Sequence, residues 1–331
     1  MLMSFHIAVA SVLWMMATMQ TPLAQPTQSA PTLERIRGTT IGAIDLAKTE
    51  AWYTQWLDQK VRERGNVTKE MAASWGAPNS AGRSFIVFST DAHPDVFIRA
   101  VAVDPVPGYR ALTTWGWNAI EIIIDDIEAL HARLKNSPFE FIGQPASLGL
   151  RYPTIHAMQV KGPSEEVLYL TTETGDRTKS SLPLPGALVG RPFIMVVAGP
   201  DIETMRSWYA DAFNMMRQPI NPSLATLTRT AQAAPAEAAY TISLLSMAQH
   251  GNMLQLDGFP SGPKARPSAL GQLPPGVAMT SFDVKSLDAL KLKYLATPQK
   301  LGGTAYGNAR VATVAGTAGE LIELIEAKMG G

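Results

Sequence analysis

Short stretches in which apolar residues alternate with small or polar ones recur along the chain, and stretches with helical spacing fall between them. Thr39 to Ile44 reads as a strand. Asp45 reads as the N-cap of a helix whose apolar stripe includes Trp52, Trp56 and Leu57, and Ser84 to Thr90 and Val96 to Val103 read as further strands. The order then restarts. Ala119 to Ile124 is a strand, Asp125 with Glu128 predicts a capping-box-like helix start running to about Leu134, and Ile155 to Val160 and Glu166 to Thr171 are strands. Beyond a linker at Thr178 to Gly190 come a strand at Phe193 to Val197, a helix over 202–213, and strands at Tyr240 to Ser246, Met253 to Leu256 and Met279 to Val284. A helix from Leu287 to Leu295 and closing strands complete the pattern, while Gln232 to Ala239 and Gly258 to Gly276 are Pro-, Ala- and Gly-rich loops. The predicted class is α+β, built from four βαβββ modules.

Three motifs occur twice in the same order. Asp45 leads Trp52-Tyr53 as Asp201 leads Trp208-Tyr209; Asp126-Ile127-Glu128-Ala129-Leu130 answers to Ser286-Leu287-Asp288-Ala289-Leu290; and Glu166-Val167-Leu168-Tyr169-Leu170 answers to Glu320-Leu321-Ile322-Glu323-Leu324. The spacing stays near 155 residues throughout, so the chain is a tandem duplication. Each half is expected to form one domain, the first over 35–173 and the second over 191–328, with a linker at 174–190.

The 331 residues carry 28 basic and 28 acidic side chains, and this balance argues against a nucleic-acid partner, which would demand a basic excess. With no cysteine, disulfides, thiolate metal sites and cysteine nucleophiles are excluded together. The apolar run Ile7 to Met19 is shorter than the roughly 20 residues of a membrane span. Followed by a possible cut after Ala24, it predicts a signal segment over 1–24 and export to the periplasm or outside, with no stable membrane span after processing.

On Asp45 with Trp52-Tyr53, Asp201 with Trp208-Tyr209, the Asp125-Asp126-Ile-Glu-Ala-Leu helix start and Gly319-Glu320-Leu321-Ile322-Glu323-Leu324, the chain resembles the vicinal oxygen chelate superfamily of glyoxalase, bleomycin-resistance and extradiol dioxygenase relatives. The resemblance implies modules paired into two domains, whose sheets each close around a cup. In metal-using relatives it also implies His, Gln or Glu ligands on the first strand of a module and Glu on the last. Placing the first-strand position seven residues before the helix cap gives Gly38, Ala119, Ile194 and Met279; the last-strand positions give Arg99, Tyr169, Gln255 and Glu323. Only Glu323 matches, so no cofactor is expected and the residues argue against a divalent metal.

A charge where the pattern demands burial is the informative signal. Period-two alternation puts Glu121 on one face with Ala119 and Ile123, and Arg99 stands in the strand Val96 to Val101. Two readings follow for a shared cup. In one, Arg99 anchors a substrate oxygen, Glu121 is a general base and Tyr169 supports an oxyanion; in the other, Arg99 and Glu121 form a buried ion pair that fills the space. His156 is a further candidate proton carrier if it faces the cup. A second cup would hold Gln255, Ser281, Asp283 and Glu323. Together these residues suggest a metal-independent lyase or isomerase acting on a small organic molecule. The alternatives are a non-catalytic small-molecule binding or sequestering protein and a metal-dependent dioxygenase or glyoxalase-like lyase using Glu323. The oligomeric state is left open by the sequence.

Overall fold

The computed structural model describes residues 30–150, 152–260 and 262–327, and the expected signal segment lies outside them. The first module runs β1 (Leu33–Ala43), α1 (Leu46–Trp56), β2 (Lys60–Asn66), α2 (Lys69–Ser74), β3 (Ser84–Ser89) and β4 (Phe97–Ala102). The second runs β5 (Gly116–Ile124), α3 (Ile127–Leu134), β6 (Glu140–Ser147), β7 (Ile155–Lys161) and β8 (Val167–Glu173). The third runs β9 (Val189–Gly199), α4 (Ile202–Phe213), β10 (Asn221–Ser223), α5 (Thr226–Ala231), β11 (Tyr240–Ser246) and β12 (Met253–Gly258). The fourth contains β13 (Gly276–Val284), β14 (Gln299–Lys300), β15 (Arg310–Ala315) and β16 (Leu321–Glu326).

Aspartates start α1, α3 and α4 for one physical reason: a side-chain oxygen accepts an otherwise unpaired N–H of the first turn. Asp45 accepts from Lys48 N, Asp126 from Glu128 N and Ala129 N, and Asp201 from Glu203 N and Thr204 N. The cap of α3 is thus Asp126; the expected Asp125 instead receives Arg177. The helix expected over Leu287 to Leu295 does not form. Only a turn is present, in which Ser286 Oγ accepts from Ala289 N at 3.3 Å. Leu290-Lys291-Leu292-Lys293-Tyr294 alternates with period two, and its three apolar side chains pack on the core from a segment that is neither helix nor strand.

Two sheets of eight strands result. One is ordered β14-β15-β16-β13-β1-β4-β3-β2 and the other β10-β11-β12-β9-β5-β8-β7-β6. At each centre the first strands of two modules lie antiparallel, β1 against β13 and β5 against β9. Each half of the sequence therefore contributes one module to each sheet: the first module pairs with the fourth, and the second with the third. This corrects the grouping expected from chain order.

Alternation assigns the two faces of each sheet. Ile98, Ile120, Leu168, Met195, Leu254, Phe282 and Ile322 join Tyr53 of α1, Leu130 of α3 and Tyr209 of α4 in one contiguous core that draws on both sheets. The intervening residues face the cups. Two tyrosine–glutamate contacts, one within each half, bind the two sheets across this core: Tyr53 Oη donates to Glu166 Oε1 at 3.1 Å, and Tyr209 Oη donates to Glu320 Oε1 at 2.8 Å. The second carboxylate oxygen accepts a backbone N–H in each case, from Ser164 and from Ala318, both at 2.8 Å. A Cβ on Gly162 or Gly316 would come within 2.0 Å of the carboxylate, so both turns require glycine. The duplicated Trp-Tyr and Glu motifs are the two ends of this clamp.

Candidate functional site

Register identifies the four central, cup-facing positions of each sheet. In the first sheet Thr40 pairs with Arg99 and Ser281 with Glu323; in the second, Glu121 pairs with Tyr169 and Val196 with Gln255. The first-strand positions are thus two residues further along than Gly38, Ala119, Ile194 and Met279, because the strands run on closer to the helix caps. Arg99 and Glu121 do not share a cup. Arg99, Ser281 and Glu323 meet in the first sheet, and Glu121, Tyr169 and Gln255 in the second.

In the first cup, Arg99 and Glu323 are both fully buried and form an ion pair at 3.1 Å. Arg99 Nε and Nη2 donate to Thr40 Oγ1 at 3.0 and 2.8 Å, and Nη1 donates to the Tyr306 hydroxyl. Glu323 accepts from Trp75 Nε1 at 2.7 Å and from Tyr306 Oη at 2.8 Å on one oxygen, and from Arg99 and Ser281 Oγ on the other. The guanidinium lies over the Trp75 ring, 4.6 Å from its centroid. Burial opposes the charge of Arg99, but Glu323 and Tyr306 more than offset this, and its pKa is raised. Met71, Trp75, Phe85, Phe97 and Tyr306 pack around the pair, brought there by α2 and the segment preceding β15. A cleft of about 430 Å³ opens beside it, with Arg99 and Tyr306 on its wall. This donor set does not suit a divalent ion: its one carboxylate has both oxygens engaged, and a guanidinium already supplies the positive charge.

The second cup is built otherwise. Glu121 is 6% exposed on the central strand β5, and its Oε1 accepts from Thr171 Oγ1 at 2.6 Å. Burial pushes its carboxyl up to about 7, the Thr171 hydrogen bond opposes this, and the charge of Asp257 adds to it. Asp257, half-buried on β12, is also raised by burial, against a hydrogen bond from Gln255 Nε2 at 2.9 Å. Burial, with the negative charges of Asp257 and Glu121, raises the Tyr169 phenol and so keeps it protonated. Tyr169, Gln255 and Gln159 remain half-buried, and no hydrogen bond engages the Tyr169 hydroxyl among the described residues. Leu227 and Ala231 of α5 pack on Ala119, Val167 and Val196 and close one end. Glu121 and Gln255 offer oxygens to a cation here, but Val196 offers none.

Two expected site residues lie elsewhere. His156 is on the face of β7 opposite Ala157 and Gln159, and its Nδ1 lies 3.3 Å from the Thr154 carbonyl. Asp283 is at the end of the first cup, where Arg35 Nε donates to its Oδ2 at 2.7 Å. Sequence reasoning missed Thr40, Trp75, Tyr306, Thr171 and Asp257. Trp75 and Tyr306 stand outside the strands, where the only signal was a large aromatic in a polar, Gly-bearing segment.

No family model matches the sequence, and no curated protein matches it. Among solved structures, glyoxalase I from Zea mays superimposes with a TM-score of 0.59 at 14% identity, over 88% of this chain and 92% of that one. A putative dioxygenase from Bacillus subtilis subsp. subtilis str. 168 gives a TM-score of 0.57 at 10% identity, over 90% of this chain and 86% of that one. Both likenesses take in almost all of each chain and include both sheets. At these identities they establish architecture alone. The chain therefore has the vicinal oxygen chelate fold, in its tandem form of four modules paired into two cups.

Proposed function

We propose that the second cup is a metal-independent active site in which Glu121 removes a proton from carbon in a small organic molecule and Tyr169 stabilises the resulting oxyanion. The reaction class is that of a lyase or isomerase. One observation carries the reading: Glu121 is held on a rigid central strand, buried, with a single hydroxyl as its hydrogen-bond partner among the described residues and its carboxyl near 7. A base is most effective when its pKa lies near the working pH, and such a group supplies about 10² to 10⁴ in rate. Tyr169 is the neighbour of Glu121 across β5 and β8, on the same face, and its retained proton makes it a donor to a developing enolate oxygen. Export remains part of the proposal, resting on the apolar run Ile7 to Met19.

The test is exchange of carbon-bound protons. A panel of small ketones, 2-oxo acids and thioesters is incubated in D₂O with chelator-treated protein, and loss of the proton signal is followed by NMR. Wild-type protein is expected to catalyse exchange of at least one compound, and Glu121→Gln to slow it about 10² to 10⁴-fold with binding retained. Exchange that requires added metal, or binding of panel members without any exchange, overturns the reading.

A further inference from the structure

Outside both cups, where the two sheets meet, lies a cavity of about 340 Å³. Three tryptophans line it, of which Trp75 and Trp117 are buried and Trp115 is half-buried. Trp75 follows α2, while Trp115 and Trp117 stand at the start of β5. Arg266, from the loop between β12 and β13, completes the wall.

Arg266 differs from Arg99 in what neutralises it. Its Nη1 donates to the Val277 carbonyl at 2.5 Å, its Nη2 to the Trp117 carbonyl, and its Nε to Thr114 Oγ1 at 3.2 Å. All three acceptors are uncharged. No carboxylate pairs with it among the described residues, and burial works against its charge. A guanidinium has five N–H donors, so the three bonds leave part of the fork unused. The carboxylate that also borders the cavity, Glu320, is held by Tyr209 and the Ala318 N–H. Trp115 adds a second unmet demand: its indole nitrogen is buried without an acceptor among the described residues.

We propose that this inter-sheet cavity binds a planar anion, an aromatic carboxylate whose ring lies against Trp115 and whose carboxylate meets Arg266. Aromatic walls reward a flat ring through offset or edge contacts. A guanidinium with neutral partners gains more from an incoming carboxylate than one already paired, because its charge is otherwise uncompensated. Trp75 also donates to Glu323 and Trp117 Nε1 donates to the Leu321 carbonyl at 2.7 Å, so the wall of the site is tied into the first cup. The site is independent of the chemistry proposed for the second cup.

Calorimetry on the full chain with 2-naphthoate and its uncharged counterpart 2-naphthamide decides the matter. Saturable one-to-one binding of 2-naphthoate is expected, with 2-naphthamide and the Arg266→Gln variant each weaker by roughly tenfold or more. Trp115→Phe, which keeps the shape and removes the free N–H, is expected to lose affinity by a factor of a few, and Glu121→Gln to bind as wild type. Equal affinity for acid and amide, full affinity in Arg266→Gln, loss in Glu121→Gln, or no binding at millimolar ligand each overturn the proposal. Should Arg266→Gln fail to fold, the comparison of acid with amide on the wild-type protein stands as the test.

Discussion

The two cups occupy equivalent places in two sheets of the same topology, yet they treat charge in opposite ways. In the first, Arg99 and Glu323 face each other across the central strands, and Thr40, Ser281, Trp75 and Tyr306 take up the remaining lone pairs and protons. Both carboxylate oxygens of Glu323 and all three guanidinium nitrogens of Arg99 are thereby engaged within the cup. In the second, Glu121 and Asp257 each accept one side-chain hydrogen bond and have no counter-cation among the described residues. Covering segments make part of the difference: α2 and Tyr306 bury the ion pair of the first cup, whereas α5 closes one end of the second. A fold that repeats its frame can thus use one copy as a completed polar core and leave the other chemically unfinished.

The largest test of this contrast is Arg99→Met. It strands a fully buried carboxylate and should cost about 3 to 5 kcal/mol, read by urea unfolding. Adding Glu323→Leu should recover most of that loss, since the pair is then replaced by apolar volume. A cost below about 1 kcal/mol for Arg99→Met would mean the ion pair of the first cup is not buried as described.

The second cup yields a pH signature. A carboxyl raised in the folded state contributes stability that is present below its unfolded value and is lost as pH rises through the folded one. With Glu121 moved from 4.5 to about 7, Glu121→Gln should match wild type near pH 4.5 and become the more stable form by pH 8, by at most about 3 kcal/mol. Thermal melts across that range check it, and a difference independent of pH would show that Glu121 is not held as a buried acid. Glu166, raised to about 7 by burial, contributes equally to both proteins and cancels in the difference.

The smallest effects concern the clamps, which are alike on both sides although the cups are not. Tyr53→Phe and Tyr209→Phe each remove one hydrogen bond to a buried carboxyl and should cost about 1 to 3 kcal/mol each, by similar amounts. Markedly unequal losses would show that the duplication of sequence is not a duplication of energetics.

Much of this frame was legible in the sequence because its determinants are local. An aspartate before a helix, alternation along β5, and the repeated Trp-Tyr and Glu motifs all act within a few residues. Alternation alone placed Glu121 on the cup face. Pairing of modules was not legible, because β1 meets β13 some 240 residues later through backbone hydrogen bonds that any sequence can make. The sequence pattern therefore offers Glu121 as the partner of Arg99, whereas the fold supplies Glu323. Trp75 and Tyr306 escaped notice for a related reason: their roles arise from where a short helix and an irregular segment fold back. Leu287 to Leu295 misled through an Asp288-Ala289-Leu290 echo of a true helix start, outweighed by the period-two pattern just beyond it.

The crossed partnership of modules bears on what half of this chain could do alone. Residues 30–173 contain β1 and β5 but neither β13 nor β9, so two central strands, of 11 and 9 residues, would be left as bare edges. A second copy of the same half could cover both at once, by a twofold arrangement in which each chain lends one module to either sheet. A half-length ancestor with this topology would have been an intertwined dimer before the fusion, and its two cups would have been identical by symmetry. Joining the copies in one gene is what released Arg99 and Gln255, once the same position, and likewise Glu323 and Tyr169, to diverge.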